Sequence, residues 1–339
     1  MIEIDGSIGE GGGQILRISC ALSALTKKPC RIFNIRKNRP KPGLATQHLL
    51  SIRALAQLSE GNLEGDFLGS AEVMFSPGNS FRDSVSVKIE TAGSITLALQ
   101  TLIIPALSFE KPVKISFEGG ATDTFFSPTF DYFQYAFLKI LEKMEGRVKP
   151  NLIKRGYFPE GGARVEIEIC PSKIKNVNLI QRGNLKKILI ISGASNYLKD
   201  KKVAERQLFG ARELLGKLNL PTEERVEYYE TLCPGSQMCI VAEFENTLIG
   251  TDNLGKLGKR AEEVGKEAAL ALLKEEKSGA CLDKNLADQI LPFMALSSKK
   301  SRITVSQITS HTKTNIGVIE KFIAGNFEIK DNLITFSPA

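Results

Sequence analysis

The chain has 339 residues, of which 42% are hydrophobic and 24% are charged, and it contains no tryptophan. These proportions exclude a disordered or fibrous protein, and the length favours a large domain plus a smaller one. The formal net charge of +7 favours a polyanionic partner, because lysine and arginine attract phosphate groups. Since neither a long apolar run nor an N-terminal leader is present, we predict a cytoplasmic protein with no membrane partner.

The predicted elements repeat along the chain. Residues 1–76 alternate as strand, helix, strand, helix and two closing strands, and residues 84–169 repeat that order. A third copy begins with a strand at 176–183 and resumes only at 287–337. The pattern predicts an α/β (α+β) fold in which three βαβαββ repeats pack around a pseudo-threefold axis.

The stretch between the two parts of the third copy has its own strands and helices. It predicts a smaller α/β domain, residues 184–280, inserted into a large domain of residues 1–183 plus 281–339. Any α/β chain can be divided into such units, so the repeats need independent support. Matching glutamines in the first helix of each copy provide it: Gln14, Gln100 and Gln289.

Three loops at equivalent positions, each joining the second strand of a repeat to its second helix, differ in chemistry. The first is basic, the second carries Phe125 and Phe126, and the third carries His311. Threefold packing would bring them together, each before a helix whose free N–H groups favour anions. The basic loop predicts phosphate binding, although a solvated charged surface is the alternative; it contains Arg36, Lys37, Arg39 and Lys41, and Gln47 and His48 follow it.

Two glycine-rich stretches need separate interpretations. In "GSIGEGGGQILR" the backbone can approach a ligand closely, Glu10 could hold a divalent metal, and Arg17 could face the same cleft. The alternative for Glu10 is a carboxylate that complements a helix dipole. The stretch "GTDNLGKLGKR" has the glycine and lysine spacing of a P-loop, but Leu257 stands where Ser or Thr should bind magnesium, so we discount it.

His311 is one of only two histidines, and it lies in a polar loop before a predicted helix. An imidazole there can act as a base, a metal ligand or a nucleophile, or it can be structural. A zinc site lacks further ligands, and a serine triad lacks its GxSxG motif. Covalent catalysis at the imidazole, with arginines neutralising a phosphoryl group, fits these residues better.

Six motifs follow one another along nearly the whole chain: "IDGSIGEGGGQILR", "IRKNRPKPGLATQH", "GGATD", "YFPEGGA", "LADQILPFMAL" and "SHTKTN". In sequence and order they resemble the motifs of the RNA 3′-terminal phosphate cyclase family. The resemblance implies three βαβαββ repeats with a thioredoxin-like insert. It also implies an ATP-dependent, ligase-type RNA-processing enzyme that turns an RNA 3′-phosphate into a 2′,3′-cyclic phosphodiester, releases AMP and pyrophosphate, and uses Mg²⁺ or Mn²⁺.

The resemblance also implies roles for individual residues. His311 would attack the α-phosphate of ATP and carry AMP before the RNA 3′-phosphate receives it. Glu10 would bind the metal, and the triphosphate or RNA phosphate would be held by Arg17, Arg36, Arg39, Gln47 and His48. The nucleotide would be held by Gln100 and by Asn285, Leu286, Ala287, Asp288 and Gln289. Because the family pattern has an aromatic residue where this chain has Asn285, we expect Phe125 or Phe126 to stack on adenine instead.

Two other functions stay open at this point. Enolpyruvyl transferases share the superfamily architecture and bind phosphorylated substrates with arginines, but they need no nucleophilic histidine in the "SHTKTN" motif. A non-cyclase relative that processes RNA or only binds it is the second alternative, and it would be marked by loss of that histidine. Neither the physiological RNA nor the oligomeric state, from monomer to homodimer or higher, follows from the sequence.

Overall fold

The computed structural model describes residues 1–9 and 11–339, and within those residues it contains four four-stranded sheets. The first repeat comprises β1 (Ile2–Asp5), α1 (Gly13–Thr26), β2 (Cys30–Phe33), α2 (Thr46–Leu58), β3 (Asn62–Glu64) and β4 (Val73–Ser76). Its strands lie in the order β1-β2-β4-β3. The pair β1/β2 is parallel, and the other two pairs are antiparallel.

The second repeat has the same strand order, β5-β6-β8-β7, with its first pair parallel and the others antiparallel. Its strands are β5 (Ser84–Ser94), β6 (Val113–Ala121), β7 (Arg147–Lys154) and β8 (Arg164–Cys170). Its first helix is α3 (Ile95–Ala106). Its second helix consists of α4 (Phe130–Tyr132), a π-helical segment (Phe133–Phe137) and α5 (Leu138–Lys143).

The third repeat is split along the chain but forms the same sheet. Its elements are β9 (Asn178–Leu179), α8 (Lys284–Ala295), β14 (Ser301–Thr304), α9 (Ser310–Phe322), β15 (Gly325–Lys330) and β16 (Leu333–Pro338). The strand order is β9-β14-β16-β15, again with the first pair parallel and the others antiparallel. Three sheets of identical order and orientation confirm the predicted α/β fold class with its three βαβαββ repeats.

Between β9 and α8 the chain forms the fourth sheet, with the strand order β11-β10-β12-β13. It comprises β10 (Leu185–Ser195), α6 (Val203–Leu215), β11 (Thr222–Tyr229), β12 (Ser236–Phe244), β13 (Leu248–Leu254) and α7 (Ala261–Lys277). Strands β10 and β11 are parallel, whereas β12 and β13 run antiparallel to their neighbours. This βαβ unit followed by a ββα unit is the predicted insert.

The insert's sheet is buried on both faces. Along β10 and β12, alternate side chains such as Ile190 and Ile240 pack with α6 and α7, because successive residues of a strand point to opposite faces. The residues between them, including Ile191 and Val241, join the large core of the three repeats. Since the insert shares this core, the boundaries at 184 and 280 stay a prediction. Within the described ranges, no helix combines the length and apolar character needed to cross a membrane.

Side-chain caps set the start of the helices that border the site described below. The Ser94 hydroxyl accepts the Leu97 N–H at the start of α3, and the Asp283 carboxylate accepts two N–H groups at the start of α8. Thr309 and Thr312 form a capping box on α9. Such caps satisfy backbone donors that have no partner within the helix, so the sequence fixes where each helix begins.

A buried ion network joins the second repeat to the insert. Arg155 donates hydrogen bonds to Asp123 over 2.9 Å and to Asp131 over 2.8 Å, and all three side chains are buried. From the insert, Gln237 donates to Asp131 over 3.1 Å, and the Tyr229 ring centre lies 4.5 Å from the Arg155 guanidinium carbon. The two carboxylates therefore depend on one cation for their neutralisation.

We predict that Arg155→Met lowers the free energy of unfolding by about 3–5 kcal/mol, because it leaves two buried carboxylates without their cation. Urea denaturation followed by circular dichroism measures this loss. The matched control is Arg164→Met, which changes an exposed arginine at the start of β8 and should cost less than about 0.5 kcal/mol. Equal losses in the two variants would contradict the role given to the network.

Candidate active site

A cleft of about 980 Å³ is lined by residues from all three repeats and from the insert. It brings together residues predicted from distant parts of the chain. The predicted residues that line it are Arg17, Arg36, Arg39, Gln47, His48, Gln100, Phe125, Phe126, Asn285, Asp288, Gln289 and His311. Lys41 of the basic loop lines it as well. The cleft therefore combines strong positive charge with amide and aromatic groups.

Two predicted residues do not belong to this cleft. The side chains of Leu286 and Ala287 are fully buried in the hydrophobic core and do not line the cleft, so a part for these two residues in holding the nucleotide stays a prediction. The reason is helical periodicity: Asn285, Asp288 and Gln289 lie on one face of α8, whereas residues 286 and 287 lie on the opposite face. The predicted metal ligand, Glu10, lies outside the described residues.

The three glutamines that marked the repeats all line the cleft, one from each first helix: Gln14, Gln100 and Gln289. In the described part of the chain, the buried Nε2 atom of Gln100 and the buried Oε1 atom of Gln289 have no hydrogen-bond partner. A buried polar atom without a partner costs free energy. Each of these two cleft-lining side chains therefore keeps one buried polar atom without a partner among the described residues.

Arg39 and His311 flank the glycine-rich turn that precedes α1. A Cβ atom at Gly12 would lie 3.4 Å from Nη2 of Arg39 and 3.7 Å from Cε1 of His311. Glycine allows both side chains to approach the backbone at this point. The structure thus brings a guanidinium group from the first repeat next to an imidazole from the third, as the loop comparison predicted.

The N-terminus of α9, which carries His311, is fixed by Asp288 of α8. The Asp288 carboxylate accepts a hydrogen bond from the Thr309 hydroxyl over 3.0 Å and another from the Thr312 hydroxyl over 2.5 Å. The Asn315 side chain donates to the Asp288 carbonyl oxygen over 3.0 Å. These bonds tie the first turn of α9 to the helix that supplies Gln289. They orient His311 at a helix N-terminus, a position that favours bound anions.

His48 and Arg17 form a buried pair, with 2.8 Å between Nη1 of Arg17 and Nδ1 of His48. Because a guanidinium group can only donate, Nδ1 must accept, and the proton of a neutral imidazole then resides on Nε2. Burial lowers the pKa of His48 well below its usual value, and the charges of Arg17 and Arg36 act in the same direction. Burial also lowers the pKa of Arg17 to about 10. His48 therefore holds Arg17 in place as a neutral acceptor.

The backbone of α1 packs directly on the His48 ring. A Cβ atom at Gly13 would lie 1.9 Å from Nε2 of His48, so any other residue there would displace the imidazole. Close packing on His48 thus explains why glycine stands at this position of the glycine-rich stretch.

We predict that the stability of the protein depends on pH through His48. Its pKa is lowered in the folded state, so below about pH 6.5 only the unfolded chain gains a proton, and stability falls as pH decreases. In His48→Asn, which keeps an acceptor for Arg17 but does not titrate, this loss is absent. Between pH 7 and 5 the difference in unfolding free energy between wild type and variant should change by about 2 kcal/mol in favour of the variant.

Urea denaturation at each pH measures that difference, and contributions from other titrating groups cancel between the two proteins. Parallel pH profiles would show that His48 titrates normally in the folded state.

The insert contributes three lining residues that the sequence analysis did not propose: Asp252, Asn253 and Leu254 of β13. The Asp252 carboxylate accepts the backbone N–H of Thr129 over 2.6 Å, and burial raises the pKa of Asp252 to about 6. These residues belong to the stretch that was discounted as a P-loop. Leu257, at the magnesium-binding position of that motif, is fully exposed.

The comparisons with known proteins point to one family. The family model for RNA 3′-terminal phosphate cyclase matches residues 8–329. A protein of that description from Pyrococcus furiosus is 47% identical over 335 residues, which cover 97% of this chain and 95% of the relative. Relatives of the same description from Pyrococcus abyssi and Sulfurisphaera tokodaii are 45% and 43% identical, each over 97% of this chain and over 95% and 96% of their own lengths.

Among solved structures, the enolpyruvyl transferase NikO from Streptomyces tendae aligns with a TM-score of 0.29 and 8% identity, over 99% of this chain and 81% of its own. This similarity is too low to support an argument about either fold or function.

Proposed function

Because the chain belongs to the RNA 3′-terminal phosphate cyclase family, we propose that it converts an RNA 3′-phosphate into a 2′,3′-cyclic phosphodiester, using ATP and a covalent histidine–AMP intermediate. The observation that carries the mechanism is the juxtaposition of Arg39 and His311 around Gly12. This juxtaposition supports the proposal, because it brings the candidate nucleophile and a positive charge to the same part of the cleft.

In the first step a ring nitrogen of His311 attacks the α-phosphorus of ATP. A phosphorus–nitrogen bond forms, the bond to the β-phosphate oxygen breaks, pyrophosphate leaves, and the ring loses a proton. Arg39 compensates the negative charge that develops on the transferring group, and the N-terminus of α9 adds its N–H groups. The imidazole suits this step because it serves first as nucleophile and later as leaving group.

In the second step an oxygen of the RNA 3′-phosphate attacks the phosphorus of the histidine adduct, and the phosphorus–nitrogen bond breaks. In the third step the neighbouring 2′-hydroxyl attacks the 3′-phosphorus, AMP leaves, and the ring closes with loss of the hydroxyl proton. The activated phosphate provides a good leaving group for closure. The requirement for a 2′-hydroxyl makes RNA the substrate, since DNA lacks that group.

The remaining lining residues suit the two substrates. Arg17 and Arg36 add positive charge for the phosphates, and His48 keeps Arg17 oriented. The amide side chains of Gln100 and Gln289 line the cleft, and an amide carries both a donor and an acceptor, as a nucleoside requires. We assign the nucleoside of ATP to the region between these two amides.

A divalent metal, Mg²⁺ or Mn²⁺, would neutralise part of the triphosphate charge. Within the described residues, no group of three or more His, Cys, Asp or Glu side chains could hold such an ion. Glu10 stays our candidate ligand on the basis of the family resemblance alone, and the steps above do not depend on it.

We predict that the protein becomes labelled when it is mixed with ATP carrying a labelled α-phosphate and a divalent metal. His311→Ala should reduce this labelling by a factor of about a thousand or more, because it removes the covalent nucleophile. Lys313→Ala is the matched control, since it changes an exposed residue of the same helix and should keep full labelling. Thermal unfolding confirms that both variants are folded.

Undiminished labelling of the folded alanine variant at position 311 would assign the nucleophile to another side chain. A wild-type protein that neither labels nor cyclises RNA would contradict the proposed function as a whole.

A further inference from the structure

The rim of the cleft exposes three phenylalanine rings. Phe126 is 99% exposed and Phe125 is 39% exposed, and both line the cleft. Phe158, which is 52% exposed and lies outside the cleft lining, contacts Phe125 edge to face with 5.8 Å between ring centres. Single exposed apolar side chains are ordinary, but three exposed aromatic rings at and beside a basic cleft, two of them in contact, indicate a binding surface.

The backbone at Phe126 adds an independent observation. Its φ angle is +64°, in the left-handed region that bulky residues seldom adopt. Strain of this kind persists where the surrounding structure imposes it, and it concentrates at ligand-binding sites. The conformation holds a fully exposed aromatic ring at the mouth of the cleft.

The loop that carries Phe125 and Phe126 is anchored at both ends. Asp123 accepts hydrogen bonds from the buried Arg155 and from the Thr122 hydroxyl, and its carbonyl accepts the Phe158 N–H over 3.4 Å. At the other end of the loop, the Thr129 N–H is bound by Asp252 of the insert. Because both ends are fixed, the exposure of the rings is a built feature of this loop.

The proposed substrates indicate what occupies the rim. A cleft of about 980 Å³ is in the range that holds a single small ligand. If an RNA end reacts at His311, the nucleotides upstream of that end must leave the cleft across its rim. Unpaired RNA ends are recognised by stacking of bases on aromatic side chains combined with basic groups near the backbone, and Arg36, Arg39 and Lys41 supply such groups in the same cleft.

Resting on the function proposed above, we propose that Phe126 and Phe158 form a stacking platform for bases of the RNA strand upstream of its reacting 3′ end. Phe125 contacts Phe158 and connects the platform to the cleft. This proposal assigns Phe126 to the RNA, whereas the sequence analysis expected Phe125 or Phe126 to stack on the adenine of ATP. A fully exposed ring at the rim suits a strand that passes over it, because every base has a face that can stack and no particular sequence is required.

The test compares Phe126→Ala, Phe158→Ala and Phe209→Ala, the last removing a phenylalanine that is 57% exposed on α6 and does not line the cleft. The first two variants should raise KM for cyclisation of a single-stranded RNA of about eight nucleotides by roughly 5- to 100-fold, the range expected for losing a base stack, with kcat little changed. For a dinucleotide 3′-phosphate the effect should largely disappear. Phe126→Trp should restore the wild-type KM, and Phe209→Ala should have no effect.

Two further measurements show whether Phe126 stacks on RNA or on the adenine of ATP, and whether its loss acts through folding. Labelling by ATP alone should be unchanged in Phe126→Ala. Loss of labelling would show that Phe126 contacts the adenine of ATP and would overturn the proposal. Phe126→Gly, which accepts the left-handed backbone, should keep or raise Tm while still losing RNA affinity. Equal RNA affinity in all variants would also overturn the proposal. The exposed rings would then be candidates for contact with a protein partner.

The affinity is measured by fluorescence anisotropy with a labelled oligonucleotide that carries a 3′-phosphate. This readout needs no turnover, so it tests the platform even if the wild-type protein fails to cyclise RNA. Failure of cyclisation with intact, Phe126-dependent binding would contradict the proposed reaction and support the platform.

Discussion

The approach of Arg39 and His311 to the backbone at Gly12 is the constraint on which the site depends. It requires the basic loop of the first repeat and the N-terminus of α9 in the third repeat to meet at one turn. The three repeats share one strand order, and the first helix of each presents one glutamine to the cleft. The cleft is therefore the place where the three repeats meet. A guanidinium group or an imidazole alone would be ordinary, whereas together they can support transfer of a phosphoryl group.

Further hydrogen bonds fix the parts of the cleft around this contact. Asp288 binds the cap of α9, and His48 binds Arg17. On the other side of the cleft, Asp252 and the Arg155 network connect the aromatic loop to the insert. Buried polar groups are stable only when they are paired, so each of these bonds fixes geometry at the cleft. The insert therefore contributes to the shape of the site as well as to the fold.

The sequence predicted positions in the fold best where an internal repeat identified equivalent helices and loops. The glutamines located equivalent helices, and the loops between strand and helix located Arg39 and His311. The prediction did not separate Leu286 and Ala287 from their neighbours, because the motif was taken as one segment although helical periodicity turns these two side chains into the core. Asp252 was missed because nothing local to its strand indicates which edge of the insert faces the cleft. The exposure and strain at Phe126 are tertiary properties, and no sequence pattern reports them.

The most direct test of the account is to locate AMP on the enzyme after incubation with ATP in the absence of RNA. Peptides prepared at alkaline pH, where phosphoramidates survive, are sequenced by mass spectrometry, and phosphorus NMR identifies the bond. The account predicts AMP on the imidazole of His311, and its disappearance when RNA with a 3′-phosphate is added. AMP bound to a lysine of the basic loop, such as Lys41, or an adduct that RNA cannot discharge, would contradict it.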